Sequence, residues 1–343
     1  MTAAPDLRIV VESPPFGVDL TESHAVLPDE FKNAVLHRVG RLDWARYPAR
    51  QQQAVLERIA AHYLVSPQEL ILTRGASEGL RTSFQLLKNH SRSVLLPVPG
   101  FFGFRDIATS LQLSTQDFDA SNGFAGLAKH LERGTRDHVP VLCSPNNPTG
   151  HVIDLGTLAR VCELGPAPIS AVVDLTYDAF TDHPLQHHLR RLVDRGAVSC
   201  LTASKTFALA GARAGLLIGP AATIRSLTRI QDRFPLDYFQ LAVIDTLFAP
   251  EWSNLRAEIV DSTKTLRDSV VRLLHRVFPK DHVLPANANF VCVRYDAGLP
   301  ENFVREVVGS AACKWFADER LLRFTVNPRT ATGLSDITAR LAL

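Results

Sequence analysis

The middle of the chain alternates short apolar runs with amphipathic stretches, and this alternation is the feature that most limits its possible folds. Several of the apolar runs lack polar residues at every second position, which is typical of strands buried on both faces. Between them, stretches such as Gln51–Tyr63 place apolar residues on one helical face. The alternation predicts a mostly parallel sheet flanked by helices. The predicted strands are Glu69–Leu72, Ser93–Leu96, Val139–Cys143, Ala171–Asp174, Ser199–Thr202 and Ala214–Ile218.

The pattern changes near Ala249, and this change divides the chain into two expected domains. Residues 46–249 are expected to form a large domain, and residues 250–343 a smaller α/β domain. Residues 1–45 carry no series of strands, and we expect them to pack on the smaller domain. The elements predicted for the smaller domain are a helix at Asn254–Phe278, a strand at Phe290–Arg294, a helix at Glu301–Gly309 and a strand at Leu322–Val326.

Composition and charge exclude several classes of function. The formal net charge is only +2 and the basic residues are scattered, so we expect neither a nucleic-acid partner nor a membrane partner. The histidines show no metal-ligand spacing, and no metal site is expected. The five cysteines are an odd number without a CxxC pair, which favours buried reduced thiols. No signal peptide or long apolar run is visible, and a cytoplasmic location is predicted.

A lysine follows one of the predicted buried strands, in the segment Thr202-Ala203-Ser204-Lys205-Thr206-Phe207. Such a charge is rarely buried unpaired, but a Schiff base to a cofactor aldehyde would consume the amine of Lys205. The hydroxyls of Thr202 and Ser204, with the guanidinium of Arg213, suit a phosphate ester. Taken alone, the segment favours an ordinary lysine in a surface loop.

A carboxylate and a phenol follow another strand, in Val172-Val173-Asp174-Leu175-Thr176-Tyr177. An anion beside a pyridine nitrogen keeps that nitrogen protonated, and a protonated ring is what makes pyridoxal phosphate (PLP) accept electrons. Asp174 suits this role, and Tyr177 suits a hydrogen bond to the ring oxygen. The alternative for Asp174 is an ordinary helix N-cap.

Two loops complete the set of candidate segments. Ser144–Gly150 (SPNNPTG) directly follows a strand, at the edge where open α/β sheets bind ligands. Thr73–Gly79 (TRGASEG) joins a strand to a helix, and small residues at a helix start expose backbone N–H groups that bind phosphate. An ordinary capped helix without a ligand is the alternative for this second loop.

Taken in order, these segments resemble fold-type-I PLP enzymes of the aminotransferase class I/II superfamily, and most closely the histidinol-phosphate aminotransferase group. The resemblance runs from about Asp19 to the C-terminus, and the SPNNPTG loop is identical to the family form. It implies an α/β fold with a large domain built on a mostly parallel seven-stranded sheet and a smaller C-terminal domain. The matching segments are Arg46–Pro48, Gly75–Gly79, Pro97–Phe102, Ser144–Gly150, Val172–Tyr177, Thr202–Gly215, Ala288–Arg294 and Leu322–Arg329.

The resemblance also implies a role for each candidate residue. Lys205 would form the Schiff base and move the proton, and Asp174 would pair with the pyridine nitrogen. Arg323 would bind the substrate carboxylate, and Tyr47 would reach the cofactor of a neighbouring subunit, which implies a homodimer. Asn289 would lie near the substrate. The remaining cofactor contacts would come from Gly75, Ala76 and Ser77 at the phosphate, Phe102 on the ring face, Asn147 and Tyr177 at the ring oxygen, and Thr202, Ser204 and Arg213 at the phosphate.

The substrate side departs from the family pattern. The segment Leu20–Ala25 (LTESHA) replaces the usual N-E-N-P, and Phe102 replaces a tyrosine. Transamination of an amino-acid substrate is the leading expectation, and the substrate itself is not specified. Decarboxylation, elimination or cyclisation is the alternative, with Glu22 or His24 as an additional acid or base; an ordinary exposed loop histidine remains the favoured interpretation of His24. A PLP-binding regulatory module is a third, weaker alternative.

Overall fold

A computed structural model describes residues 20–132 and 138–341, and a seven-stranded sheet lies at its centre. The strand order is β1-β7-β6-β5-β4-β2-β3; the pairs from β3 to β6 are parallel, and β7 runs antiparallel to both of its neighbours. This confirms the predicted fold class. The strands are β1 (Leu70–Arg74), β2 (Ser93–Val98), β3 (Thr115–Asp119), β4 (His138–Cys143), β5 (Ala171–Asp174), β6 (Ala197–Thr202) and β7 (Ala214–Ile218).

A second, three-stranded antiparallel sheet follows in the C-terminal part, in the order β8-β10-β9. Its strands are β8 (Phe290–Arg294), β9 (Cys313–Phe316) and β10 (Leu321–Thr325). The sequence predicted β8 and β10, but it gave no signal for β9. The side chains of Val291, Val293, Leu322 and Phe324 are buried in a separate apolar core of this part of the molecule.

Helices cover both faces of the large sheet, which is why β4, β5, β6 and β7 are almost entirely buried. Neighbouring residues of one strand enter opposite cores, as Val172 and Val173 do. No helix in the described ranges is both long and apolar enough to cross a bilayer. The helices are α1 (Asp29–Gly40), α2 (Ala49–Tyr63), α3 (Gly75–Asn89), α4 (Phe102–Ser110), α5 (Leu127–Glu132), α6 (Leu155–Leu164), α7 (Leu189–Asp194), α8 (Ala203–Thr206), α9 (Ala221–Ile230), α10 (Tyr238–Leu247), α11 (Ser253–Val277), α12 (Glu301–Ser310) and α13 (Pro328–Leu341).

The N-terminal segment does not pack as a single unit on the smaller domain, and that expectation requires a correction. Helix α1 packs on α10 of the large domain, and Arg38 of α1 forms an ion pair of 2.7 Å with Asp245 of α10. The apolar face of α1 explains this choice, because Phe31 is buried in the same core as Leu241. The stretch just before α1 contacts the C-terminal part through His24 and Thr21, and α1 itself contacts Glu251 and Trp252 at the start of that part. Residues 1–19 lie outside the described residues.

Candidate active site

A cavity of about 440 Å³ opens where β4, β5 and β6 end, between the large sheet and the C-terminal sheet. Parallel strands bring their carboxyl ends to one edge, so segments distant in sequence meet there. The predicted site residues that line it are Glu22, Ala76, Ser77, Phe102, Asn147, Asp174, Tyr177, Thr202, Ser204, Lys205, Arg213 and Arg323.

Asp174 is the last residue of β5, and its carboxyl group is buried, with 4% of the residue exposed. The backbone N–H and the hydroxyl of Thr176 both donate to Oδ1, at 3.0 and 2.5 Å, so Oδ2 carries neither of these bonds. Burial raises the pKa of Asp174 to about 6, although the Thr176 bonds oppose the rise. Asp174 forms no ion pair with any described residue. At neutral pH it is therefore a mostly ionised, buried carboxylate that faces the cavity without a cationic partner among residues 20–132 and 138–341.

Lys205 lies in α8, the short helical turn that follows β6. The hydroxyl of Thr202 accepts from the backbone N–H of Ser204 at 3.2 Å, and this bond caps the turn. The turn therefore directs the lysine into the cavity, where Nζ donates to the carbonyl oxygen of Leu20 at 2.5 Å. The predicted lysine thus lies at the same sheet edge as Asp174, and the interpretation as a surface-loop lysine does not fit.

Gly75 and Gly215 meet at the start of α3 and form a space that no side chain of their own fills, which we call the glycine cradle. Gly75 has φ of 72°, and a Cβ on it would approach Nη2 of Arg213 to 2.9 Å. A Cβ on Gly215 would lie 2.6 Å from the carbonyl carbon of Gly75, so the two backbones can meet only as glycines. The backbone N–H groups of Ala76 and Ser77 follow in the first turn, where a helix has no internal acceptors for them. Free N–H groups, a positive helix end and a guanidinium together suit a phosphate.

The loop after β4 connects the two sides of the cavity through hydrogen bonds. Asn147 donates from Nδ2 to the phenol oxygen of Tyr177 at 3.2 Å. Its Oδ1 accepts from Nη1 of Arg323, a buried residue of β10, at 2.7 Å. The residue expected to bind the substrate is therefore in direct contact with a residue expected to bind the cofactor.

An aromatic side chain, Phe102, and a cationic one, Lys314, lie at the mouth of the cavity. Phe102 begins α4 and is 57% exposed, which leaves its ring face available for a flat ligand. Lys314 of β9 places Nζ 4.9 Å from the centre of the Phe102 ring and 5.2 Å from that of Phe316. The sequence did not indicate Lys314, because β9 was not predicted. This strand has only four residues and is partly buried, so it leaves no clear pattern in the sequence.

Four predicted residues do not line the cavity of their own chain. Gly75 lies beneath it and shapes the cradle. Asn289 is buried and donates from Nδ2 to the carbonyl oxygen of Thr21 at 2.8 Å, and His24 bonds through Nδ1 to the carbonyl oxygen of Val326 at 3.0 Å. Tyr47 is 73% exposed and stacks on Phe234 at 4.0 Å. His24 and Asn289 thus hold the N-terminal segment in place, and the structure does not put His24 among the acid–base groups of the cavity.

Two further residues of the site had no role assigned from the sequence, although both lie within the segments Leu20–Ala25 and Val172–Tyr177. Thr176 holds Asp174, and Thr21 places its hydroxyl 3.2 Å from the phenol of Tyr177. Neither residue follows from periodicity or from a turn signal, since each acquires its role only through the partner it meets.

These features fit PLP group by group. The unpaired Asp174 anion suits a protonated pyridine nitrogen, Lys205 suits the aldehyde carbon, and the glycine cradle suits the phosphate. A fold of this topology with this site defines a PLP-dependent transferase. The family model described as aminotransferase class I and II matches residues 19–326, and the chain belongs to this family.

Individual relatives are similar to this chain in sequence, and solved structures are similar to it in fold. A histidinol-phosphate aminotransferase of Francisella philomiragia is 26% identical over 290 residues, and the match covers 82% of this chain and 79% of that protein. The histidinol-phosphate aminotransferase of Sinorhizobium meliloti, solved in complex with pyridoxal-5'-phosphate, superimposes with a TM-score of 0.79 at 18% identity, covering 94% of this chain and 90% of that one. An L-threonine-O-3-phosphate decarboxylase of Porphyromonas gingivalis superimposes with a TM-score of 0.70 at 15% identity, covering 92% and 97%. The protein is an aminotransferase whose cofactor is PLP.

Proposed function

We propose that this aminotransferase holds PLP between Asp174, Lys205 and the glycine cradle, and that it takes its amino donor by an anionic group. The buried Asp174 anion in the cavity shared with Lys205 is the observation that carries the proposal. PLP, when bound, supplies an aldehyde carbon for amines and an electron-accepting ring. The residues of this chain bind, orient and move protons around it.

Asp174 acts on the pyridine nitrogen. Its pKa of about 6 leaves the carboxyl mostly ionised at neutral pH, so it holds a proton on that nitrogen. Asn147 and Tyr177 bond the ring oxygen, and Phe102 covers one ring face. The hydroxyls of Thr202 and Ser204, with Arg213, bind the phosphate beside the amides of Ala76 and Ser77. Lys205 carries the proton to and from the substrate α-carbon, because its amine is the basic group at this edge of the sheet.

Arg323 orients the donor. Its guanidinium is buried beside the rings of Phe290 and Phe316, with Cζ 5.6 and 5.7 Å from their centres, and Nη1 donates to Asn147. The planar fork is thus fixed, and it suits two oxygens of a carboxylate or a phosphate. Because the charges of Lys314 and Glu22 also face the cavity, the donor is a polar amino acid or amino-alcohol phosphate. The 2-oxo acid acceptor uses the same fork.

We also propose that the enzyme is a homodimer and works in the cytoplasm. Tyr47 is exposed and does not line the cavity of its own chain, as expected of a side chain that contacts the cofactor of a partner subunit. Five buried thiols suit a reducing compartment. Sedimentation of the PLP-loaded protein measures the oligomeric state; a monomer at micromolar concentration contradicts the first proposal.

A spectroscopic experiment tests the cofactor assignment. Lys205→Ala should abolish the visible absorbance band of bound cofactor, since the amine that attaches it is gone. Lys88→Ala is the matched control, because Lys88 lies on α3 outside the cavity lining and should keep the band. An unchanged spectrum in Lys205→Ala contradicts the proposal.

A second experiment tests the reaction and the donor class. The loaded enzyme is mixed with amino acids and phosphorylated amino alcohols, and conversion of the cofactor to its amine form is followed by absorbance. We expect conversion with donors that carry an anionic group and not with their neutral esters or amides. Release of CO2 or ammonia without conversion would show decarboxylation or elimination instead.

A further inference from the structure

A continuous chain of hydrogen bonds crosses the site and passes through Thr21. From the Asn147 amide it continues to the Tyr177 phenol, then to Oγ1 of Thr21 at 3.2 Å. The Thr21 hydroxyl donates to the carbonyl oxygen of Leu20 at 2.6 Å, and this same oxygen accepts from Nζ of Lys205. The segment before α1 therefore joins the phenol expected at the cofactor ring to the lysine expected to attach the cofactor.

Thr21 occupies its place at a conformational cost. It is 1% exposed, and its φ of 54° is in the left-handed region, which a β-branched residue rarely adopts. The bond from Asn289 to its carbonyl oxygen fixes the backbone from the C-terminal sheet. A strained residue that is held by its surroundings on both sides is typical of a functional site.

We propose that Thr21 is a positioning residue that aims the Tyr177 phenol at the ring oxygen of the cofactor. This inference rests on the proposed function, which places that oxygen beside Tyr177 and Asn147. A threonine hydroxyl can donate as well as accept. When the phenol donates to an anionic ring oxygen, the Thr21 hydroxyl turns its single proton from the Leu20 carbonyl oxygen to the phenol oxygen, and each bond in such a chain polarises the next.

The electrostatics of the phenol agree with this geometry. Burial raises the pKa of Tyr177, whereas the charge of Arg323 and the bond to Thr21 oppose that rise. Thr21 therefore makes the phenol a better donor. A stronger bond from the phenol would stabilise negative charge on the ring oxygen. The proton shared by that oxygen and the Lys205 nitrogen would then be held less tightly.

The test measures the absorbance spectrum of the cofactor-loaded enzyme as a function of pH. The midpoint is the pH at which the absorbance lies halfway between its low-pH and high-pH values. Thr21→Val removes the hydroxyl and should raise the midpoint by about half to one pH unit, the effect of one hydrogen bond. Thr21→Ser keeps the hydroxyl and should restore most of the original midpoint. Thr263→Val removes an equally buried threonine hydroxyl from α11, outside the cavity, and should leave the midpoint unchanged.

A double variant separates positioning from general loosening of the segment. In a Tyr177→Phe background, adding Thr21→Val should shift the midpoint no further, because the phenol through which Thr21 acts is absent. An unshifted Thr21→Val midpoint, an equal shift in Thr21→Ser, or a full shift without the phenol would overturn the inference while leaving the cofactor assignment intact. Absence of any Lys205-dependent band would overturn both.

Discussion

Replacing Asp174 with asparagine should have opposite effects on the two forms of the protein. It should increase the stability of the cofactor-free protein and strongly reduce turnover by the cofactor-loaded enzyme. Burial raises the pKa of this carboxyl from 3.8 to about 6. At about 1.4 kcal/mol per pH unit, the difference corresponds to roughly 3 kcal/mol against the ionised form in the folded protein. Asparagine keeps an oxygen that accepts both Thr176 bonds, so the substitution removes the charge and preserves the local geometry.

The sign of the pH dependence follows from proton binding. The folded protein binds this proton more tightly than the unfolded chain, so stability falls as pH rises from about 4 to about 6 and stays lower above that range. The free energy of unfolding of cofactor-free Asp174→Asn should therefore exceed that of the wild type by about 3 kcal/mol at pH 8. Below pH 4 the two values should be almost equal. The assay is urea unfolding of cofactor-free protein at both pH values and one protein concentration.

The loaded enzyme should show the opposite effect. An amide cannot keep the pyridine nitrogen protonated, so turnover should fall by several powers of ten while the cofactor remains bound. Asp178→Asn is the matched control, because burial raises the pKa of Asp178 to about 6 as well, yet it binds the backbone N–H groups of Leu185 and Gln186 outside the cavity. Turnover per folded Asp178→Asn enzyme should be normal. A pH-independent stability difference, or near-normal turnover in Asp174→Asn, would refute the reasoning.

Two further substitutions test the donor clamp and the phosphate cradle. Arg323→Lys replaces a two-nitrogen fork with a point charge, so KM for the amino donor should rise by about ten- to a hundredfold while the cofactor stays bound; an unaltered KM would exclude the clamp. Gly215→Ala places a methyl group 2.6 Å from the Gly75 backbone, and should weaken PLP affinity at least roughly tenfold and cost about 1–3 kcal/mol of stability. Gly309→Ala, where a Cβ meets nothing within 4 Å, is the control; equal behaviour of the two alanine variants would show that the cradle tolerates side chains.

The core of the fold was predictable because burial on both faces leaves a strong signal. Strand β5 is buried at all four positions, and its predicted and observed bounds coincide. The edge strand β3 was missed, since only Phe118 is buried in its sequence TQDFD, and such a polar run resembles a loop. Helix α1 was missed for a different reason: its apolar face is narrow, with Phe31 and Val35 as its buried residues.

The cofactor side of the site was predictable because its residues follow strand ends in short, recognisable segments. Asp174 and Lys205 belong to such segments, and the structure brings both to one cavity. The substrate side is assembled from segments far apart in the chain, so no local sequence pattern predicts which residues form it. Lys314 reaches the cavity only because β9 pairs with β10 in the register that sets Lys314 opposite Arg323. His24 was assigned to the substrate side from its position in the chain, and its ring instead bonds the Val326 carbonyl.

The two sides are nevertheless not independent. Arg323 bonds Asn147, Asn147 bonds Tyr177, and Tyr177 bonds Thr21, so a donor that draws the guanidinium towards itself changes the hydrogen bonding of the phenol. A buried network of this kind has few alternative partners in a low-dielectric interior, which makes its members respond together. Substrate binding at Arg323 should therefore alter the electronic state of the cofactor before any bond breaks. The departures from the family pattern around residues 20–24 then bear on reactivity as well as on the choice of substrate.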